Sequence, residues 1–227
     1  LGLFVGAVLS YVLAFCRDVY YSKNSLKIGV RARLTASVKT LLPFRNNILV
    51  DVNTILMKKS RPILRDLAVE IHKSAALQVV MTSSRAKITG IDVARALASY
   101  MQSESMKVAV IDFSSRAKKL DIDCEMLSGG SFVVTESAGQ VSVLRPDGDL
   151  AAIELLGHRD FWEKIQSLNP TFDLVFLCAD NSDAISLLSA LEGQKAYHIT
   201  IARTKNTKSA TLMQMRTLLP IQGLLHD

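Results

Sequence analysis

Lys87, Thr89, Gly90 and Asp92 stand together between a Val-containing apolar run at residues 77–82 (LQVVMT) and a helically spaced set, Val93, Ala94, Leu97, Ala98 and Met101. A cation, a hydroxyl and a glycine at a strand-to-helix turn are residue types with which proteins hold phosphate. In a loop of the form G-x-x-x-x-G-K-[ST], glycines let successive N–H groups turn inward, the lysine neutralises charge and the hydroxyl binds Mg²⁺. This stretch has the setting without the pattern. If Lys87 serves as the phosphate lysine, no glycines precede it to form the cradle and no hydroxyl follows at the right place. Asp92 adds negative charge where a triphosphate would sit. Asp112 closes a second apolar run, residues 107–112 (KVAVID), and reads more simply as a strand-end residue than as a metal ligand. Cys178 closes a third run, residues 172–178 (FDLVFLC), with Asp180 just beyond it. With no His partner evident, Cys178 reads as a buried small hydrophobe rather than a nucleophile.

The elements that must position these residues follow from periodicity. Strand, loop, helix and parallel strand over residues 77–115 open a nucleotide-binding type of α/β domain. Upstream, Ile63, Leu64, Leu67, Ala68 and Ile71 mark an amphipathic helix to about residue 74, with Pro62 in its first turn. After Asp112, loops and short helices are expected through Gly129-Gly130. A short strand follows at 141–145, stopped by the turn signal Pro146-Asp-Gly148. A helix at 160–168 puts Phe161, Trp162 and Ile165 on one face. Next come a strand at 172–178, a helix at 182–192 ending before Gly193, a strand at 197–202, a helix at 209–218 and a last strand at 221–225. Strands alternating with ten-residue helices predict a doubly wound, mostly parallel sheet with helices on both faces.

An apolar fraction of 49% against 21% charged residues marks a globular chain, and 227 residues suffice for one substantial core. The net charge of +6 admits nucleic acid, anionic lipid or acidic protein as partner. Cys16, Cys124 and Cys178 form no CxxC pair, which fits reduced thiols and argues against a disulfide framework or a zinc site. The four histidines are scattered, so no metal cluster is expected.

Residues 1–16 contain no charge. A spanning helix needs roughly 20 apolar residues, so the run reads as the truncated end of a transmembrane helix, with a buried core helix as the competing reading. Gly2 and Gly6 make a weak small-xxx-small pair. Arg17, Lys23, Lys27, Arg31, Arg33 and Lys39 follow, against Asp18 alone. By the positive-inside rule that flank, and what comes after about Arg17, is cytoplasmic. Few aromatics interleave these charges, so anionic lipid head groups suit them better than nucleic acid.

In this order the pieces resemble the cytoplasmic end of a polysaccharide co-polymerase of the Wzz/GumC type, whose second membrane helix leads into a P-loop domain like that of bacterial tyrosine kinases. The resemblance covers essentially the whole chain: 1–22 as membrane-helix end and basic flank, 23–60 as juxtamembrane segment and linker, 61–227 as the P-loop-like, three-layer α/β domain. Residues 79–84 (VVMTSS) look like the strand entering the P-loop, 108–112 (VAVID) like the second aspartate strand, and 172–178 like the Walker B strand. The family pattern then places its first glycine at Lys87, its second at Thr89, its lysine at Gly90, its hydroxyl at Ile91 and the following threonine at Asp92. Asp112 is retained, and Cys178 stands where the Walker B aspartate would be. The tyrosine-rich tail of the kinases has no counterpart in the closing residues. The resemblance thus implies a non-catalytic regulatory domain of an inner-membrane machine, homo-oligomeric, in contact with polysaccharide polymerase or export partners. It implies no catalytic residue, no metal and no bound ATP or Mg²⁺. The competing expectations are an active tyrosine autokinase with an unconventional loop, and a ParA/MinD-like ATPase.

Overall fold

The computed structural model describes residues 4–8, 34–37, 55–84, 89–102, 105–113, 125–126, 132–138, 141–146, 152–168, 170–203 and 206–226. The elements are β1 (Leu34–Ser37), α1 (Ile55–Ser74), β2 (Gln78–Ser84), α2 (Gly90–Gln102), β3 (Val108–Asp112), β4 (Glu125–Met126), β5 (Phe132–Ala138) and β6 (Val141–Pro146). They continue with α3 (Arg159–Gln166), β7 (Leu174–Asp180), α4 (Asn181–Ala190), β8 (Tyr197–Ala202), α5 (Ser209–Leu218) and β9 (Ile221–His226).

β2 is the centre. Every one of its residues is buried, as a strand covered on both faces requires. It pairs in parallel with β7 on one side and β8 on the other. The 9-stranded sheet runs β1-β9-β8-β2-β7-β3-β6-β5-β4, parallel from β1 to β6 and antiparallel only at the β6-β5-β4 edge.

Two cores flank the sheet. On one face, Leu64, Leu67 and Ile71 of α1 recur at helical spacing and pack with Val93, Leu97 and Met101 of α2 against Val79, Met81 and Phe176. α2 is buried nearly all round because α1 covers it, and Ala94, Ala96 and Ala98 allow that close approach. On the other face, Phe161 and Ile165 of α3, Leu187 and Leu188 of α4, and Leu212 and Met215 of α5 pack against Val80, Ile111 and Leu177. Each such fully buried aliphatic side chain stabilises the fold by about 1.5–3 kcal/mol relative to exposure.

The helix after β2 therefore lies on one face and the helix after β7 on the other. Adjacent strands whose helices leave in opposite directions open a crevice at their carboxyl ends, where doubly wound folds place ligands.

Several expectations shift. α1 begins at Ile55 rather than at Pro62, so the proline lies inside the helix, which forgoes one backbone hydrogen bond there. The stretch expected to be irregular holds β4, and β5 stands unanticipated between it and the expected strand at 141–145, pairing with β6 through a register shift between Val134 and Glu136. β7 does not stop at Cys178. Ala179 and Asp180 continue the ladder opposite Thr82 and Ser83, so a carboxylate does end the strand. Among the described residues no helix is long and apolar enough to cross a membrane. Residues 4–8 are helical with Phe4, Val5 and Val8 exposed. Apart from these and 34–37, everything before Ile55, including the expected membrane-helix end and its basic flank, lies outside the described residues.

Candidate functional site

The crevice between β2 and β7 brings together residues far apart in the chain. Ser83 sits one residue from the end of β2, Asp180 ends β7, and Gly90 starts α2. The Ser83 hydroxyl donates to Asp180 Oδ1 at 2.5 Å, and the Gly90 N–H donates to the same oxygen at 3.0 Å. The N-terminus of a helix collects anions because its first N–H groups have no partner within the helix and the peptide dipoles add up there. Here the anion position is taken by the protein's own carboxyl group.

The next N–H groups of the turn are also engaged. Thr89 donates its N–H (2.9 Å) and its hydroxyl (2.6 Å) to Asp92 Oδ2, and the Asp92 N–H donates to Thr89 Oγ1 at 3.3 Å. This is a reciprocal capping box, with aspartate in place of the usual Glu or Gln. Thr89 and Asp92, two of the residues suggested by sequence for the phosphate turn, thus cap one another. Ile91 is half-buried and packs against the α1–α2 core. Lys87 lies outside the described residues.

Gly90 is held by space. A Cβ on it would stand 2.6 Å from the Met81 carbonyl oxygen, so only glycine lets α2 approach β2 this closely. The exit of β2 is pinned from the other side as well. Thr207 donates its hydroxyl to the Ser84 carbonyl at 2.7 Å and accepts the Arg203 N–H at 2.9 Å.

Asp112 and Cys178 face each other across the β3–β7 ladder, and the Phe113 N–H donates to the Cys178 carbonyl at 2.7 Å. Cys178 is buried, and burial, then the nearby charges of Asp112, Asp180 and Asp92, push its thiol well above the usual range, with Arg95 pulling the other way. The residue is a thiol packed in the core, not a thiolate. Asp180 titrates above the usual carboxylate range, first because it is buried, with the Gly90 N–H and Ser83 hydroxyl opposing that shift and Asp92 and Asp183 adding to it. Asn181, immediately after it, holds φ at +51°, a left-handed conformation that asparagine tolerates.

As arranged, these groups do not form a phosphate cradle. The N–H groups of Thr89, Gly90 and Asp92 already point at protein oxygens, and two carboxyl groups stand where phosphate oxygens would need donors. Among the described residues no three His, Cys, Asp or Glu side chains come together as a metal-ligand set. Sequence reasoning missed Ser83, Thr207 and the part played by Asp180. The capping box was visible as Thr89-x-x-Asp92, whereas the other contacts join residues with no shared local pattern.

Replacing Asp180 with alanine leaves the Gly90 N–H and the Ser83 hydroxyl without their acceptor, and is expected to cost about 1–3 kcal/mol. Asp180→Asn, which keeps an oxygen acceptor, is expected to lose less. Urea unfolding of the two variants measures this, and an alanine variant as stable as the parent would show that the contact does not hold the turn.

No protein-family profile and no curated protein matches the chain. Solved structures do. The BceF tyrosine kinase domain superposes with a TM-score of 0.66 at 11% identity, over 92% of this chain and 98% of that one. The chimerical protein CapA2B2 gives 0.62 at 13%, over 90% and 98%. The kinase domain of the Escherichia coli tyrosine kinase ETK gives 0.57 at 14%, over 88% and 91%. At these identities the likeness is one of fold: the chain has the P-loop NTPase-like α/β architecture of bacterial tyrosine kinase domains.

Proposed function

We propose that this chain is a non-catalytic regulatory and scaffolding domain of an inner-membrane polysaccharide co-polymerase. It would act from the cytoplasmic side in exopolysaccharide or O-antigen biosynthesis, in chain-length control and export. One observation carries the non-catalytic part. The anion position at the start of α2, which a nucleotide-binding domain offers to phosphate, is filled by Asp180 through Gly90 N–H and Ser83 Oγ. The tyrosine-kinase-like fold and the whole-chain sequence resemblance support the co-polymerase part. On this reading no ATP or Mg²⁺ is bound and the domain contributes surfaces for self-assembly and for polymerase or export partners. The basic flank (Arg17, Lys23, Lys27, Arg31, Arg33, Lys39) meets anionic lipid head groups.

Titration calorimetry with Mg·ATP is expected to give no binding heat. Micromolar affinity would instead support the active-autokinase reading. Alkali extraction of membranes from cells expressing the full-length protein is expected to leave it in the pellet. Release into the soluble fraction would remove the membrane-spanning reading and favour a ParA/MinD-like peripheral protein.

A further inference from the structure

One strand of the sheet stands apart from the rest in sequence. α1 and the strands from β2 to β9 come from residues 55–226, whereas β1 (Leu34–Ser37) lies upstream and is joined to α1 by residues 38–54, 17 in all. β1 forms one end of the sheet. Among the described residues it pairs with β9 alone, in parallel, with Leu34 opposite Gly223, Thr35 opposite Leu224, Ala36 opposite Leu225 and Ser37 opposite His226.

The two partners are held unequally. Four residues make a ladder of a few hydrogen bonds, each worth about 0.5–1.5 kcal/mol net. Fixing the backbone costs about 1–2 kcal/mol for every residue ordered, so β1 stays in place chiefly because it is tethered beside its partner. β9 is secured independently, by its ladder with β8 and by Leu224 and Leu225, both fully buried. Its outer edge therefore persists when β1 leaves. The tether is also long. Seventeen extended residues reach at most about 58 Å, and a domain of this size is about 40 Å across. The β9 edge of an adjacent copy lies within that reach.

We propose that β1 is an exchangeable strand, and that in an assembly of copies residues 34–37 of one copy pair with β9 of its neighbour. The fold itself names the occupant of this edge, since the segment LTAS already lies on β9 in register. Exchange rebuilds the same ladder, so neither arrangement gains a contact at the strand. Concentration decides between them. The tether presents β1 to its own β9 at an effective concentration on the order of millimolar. Dilute copies accordingly keep their strand, and copies packed together trade it. The inference rests on the reading of the chain as a membrane-anchored homo-oligomer, which supplies that crowding. Its consequence is mechanical: the membrane-proximal segment of each copy is tied to the last strand of its neighbour.

The test uses the full chain with Cys16 and Cys124 replaced by serine and the buried Cys178 kept. Neighbouring strands stand about 4.8 Å apart, a separation that a disulfide bridges. Ser37→Cys and His226→Cys, Cα partners in the ladder, should therefore join on mild oxidation wherever β1 lies on β9. A chain carrying both substitutions, dilute in detergent, is expected to close its disulfide within one copy. Failure to do so overturns the pairing and the proposal with it. A chain with Ser37→Cys alone is next co-expressed with a differently tagged chain carrying His226→Cys alone, and the fraction that holds them is oxidised. Expected is a disulfide-linked pair of the two. Leu34→Cys in place of Ser37→Cys stands about 10 Å further along the strand, so it should link to His226→Cys roughly tenfold less. Equal linking by both would mark collision alone and overturn the exchange. Light scattering of the solubilised protein reads assembly separately. Copies that assemble but never link to one another overturn the exchange and leave the homo-oligomer standing, whereas copies that do not assemble overturn both.

Discussion

Placing a lysine at position 90 is expected to destabilise the domain by about 1–3 kcal/mol and to produce no nucleotide binding. The residue there is glycine, at the place where the resemblance drawn from the sequence puts a phosphate lysine. Simple reversal looks attractive because one substitution would return the cation to the start of a helix. The packing forbids it. Any side chain begins with a Cβ, and that atom would meet the Met81 carbonyl oxygen at 2.6 Å, with the Met81 carbonyl carbon at 3.1 Å. Both obstacles are backbone of the central, fully buried strand, which cannot turn aside as a flexible side chain could. Beyond the clash, Asp180 Oδ1 at 3.6 Å from the Cβ would take the new ammonium as an ion-pair partner before any phosphate could. Gly90→Ala separates the steric part from the rest. In an unobstructed helix, glycine to alanine stabilises by up to about 1 kcal/mol, so the sign of the change is diagnostic. Here a loss is expected, seen as a fall of roughly 5 °C in Tm for a domain of this size. An alanine variant as stable as the parent would show that α2 can lift off β2 at no cost, and micromolar Mg·ATP binding by Gly90→Lys would show that the crevice is open to rearming.

That turn shows what was legible in the chain and what was not. β8 and α5 run where the sequence places them, because the run from Tyr197 to Ala202 is apolar and small and the helix after it has clear ends. The strand from Phe132 was missed because Thr135, Glu136 and Ser137 dilute its apolar start and the irregularity near Glu136 breaks the alternation that reveals a strand. The early start of α1 was hidden by Pro62, a residue that ordinarily marks a first turn. Asp180 was the least legible. Its position just past an apolar run suggests a displaced strand-end carboxylate, but its two partners are 97 and 90 residues away in sequence. Only the parallel pairing of β2 with β7, which sets Asp180 opposite Ser83, brings them together. Local pattern therefore gave the frame, whereas the contact of the protein's own carboxyl group with the start of α2 is a property of tertiary register.

Acid is expected to weaken this fold between pH 6.5 and 4, with His198 as a principal cause. The ring is fully buried in β8. Its Nδ1 lies 3.0 Å from the Leu219 carbonyl oxygen, an atom that can only accept, so Nδ1 carries the proton. The neutral ring then accepts at Nε2 from the Thr82 hydroxyl, 2.9 Å away, and Thr82 Oγ1 lies 3.0 Å from Thr200 Oγ1. Every partner is satisfied while the ring is neutral. A second proton would force Thr82 to reverse and would bury a charge with no carboxylate among these partners. Burial accordingly lowers the His198 pKa from 6.5 to about 4, with the Leu219 carbonyl pulling the other way. Because the folded-state pKa lies below the unfolded one, the unfolded chain binds the proton first. The contribution is present in full above pH 6.5 and is lost as pH falls towards 4, a swing of about 3 kcal/mol. Asp180 acts in the opposite sense. Its pKa is raised by burial, so its share of stability is present in strong acid and is lost as pH rises through the folded value, which blunts the acid loss at the lower end of the window. Urea unfolding at intervals from pH 7.5 to 4.5 measures the slope. His198→Asn keeps a donor for Leu219 and removes the titrating group, so it should start less stable at pH 7.5 and lose distinctly less than the parent on acidification. Parallel pH profiles for parent and variant would assign the acid loss to other groups.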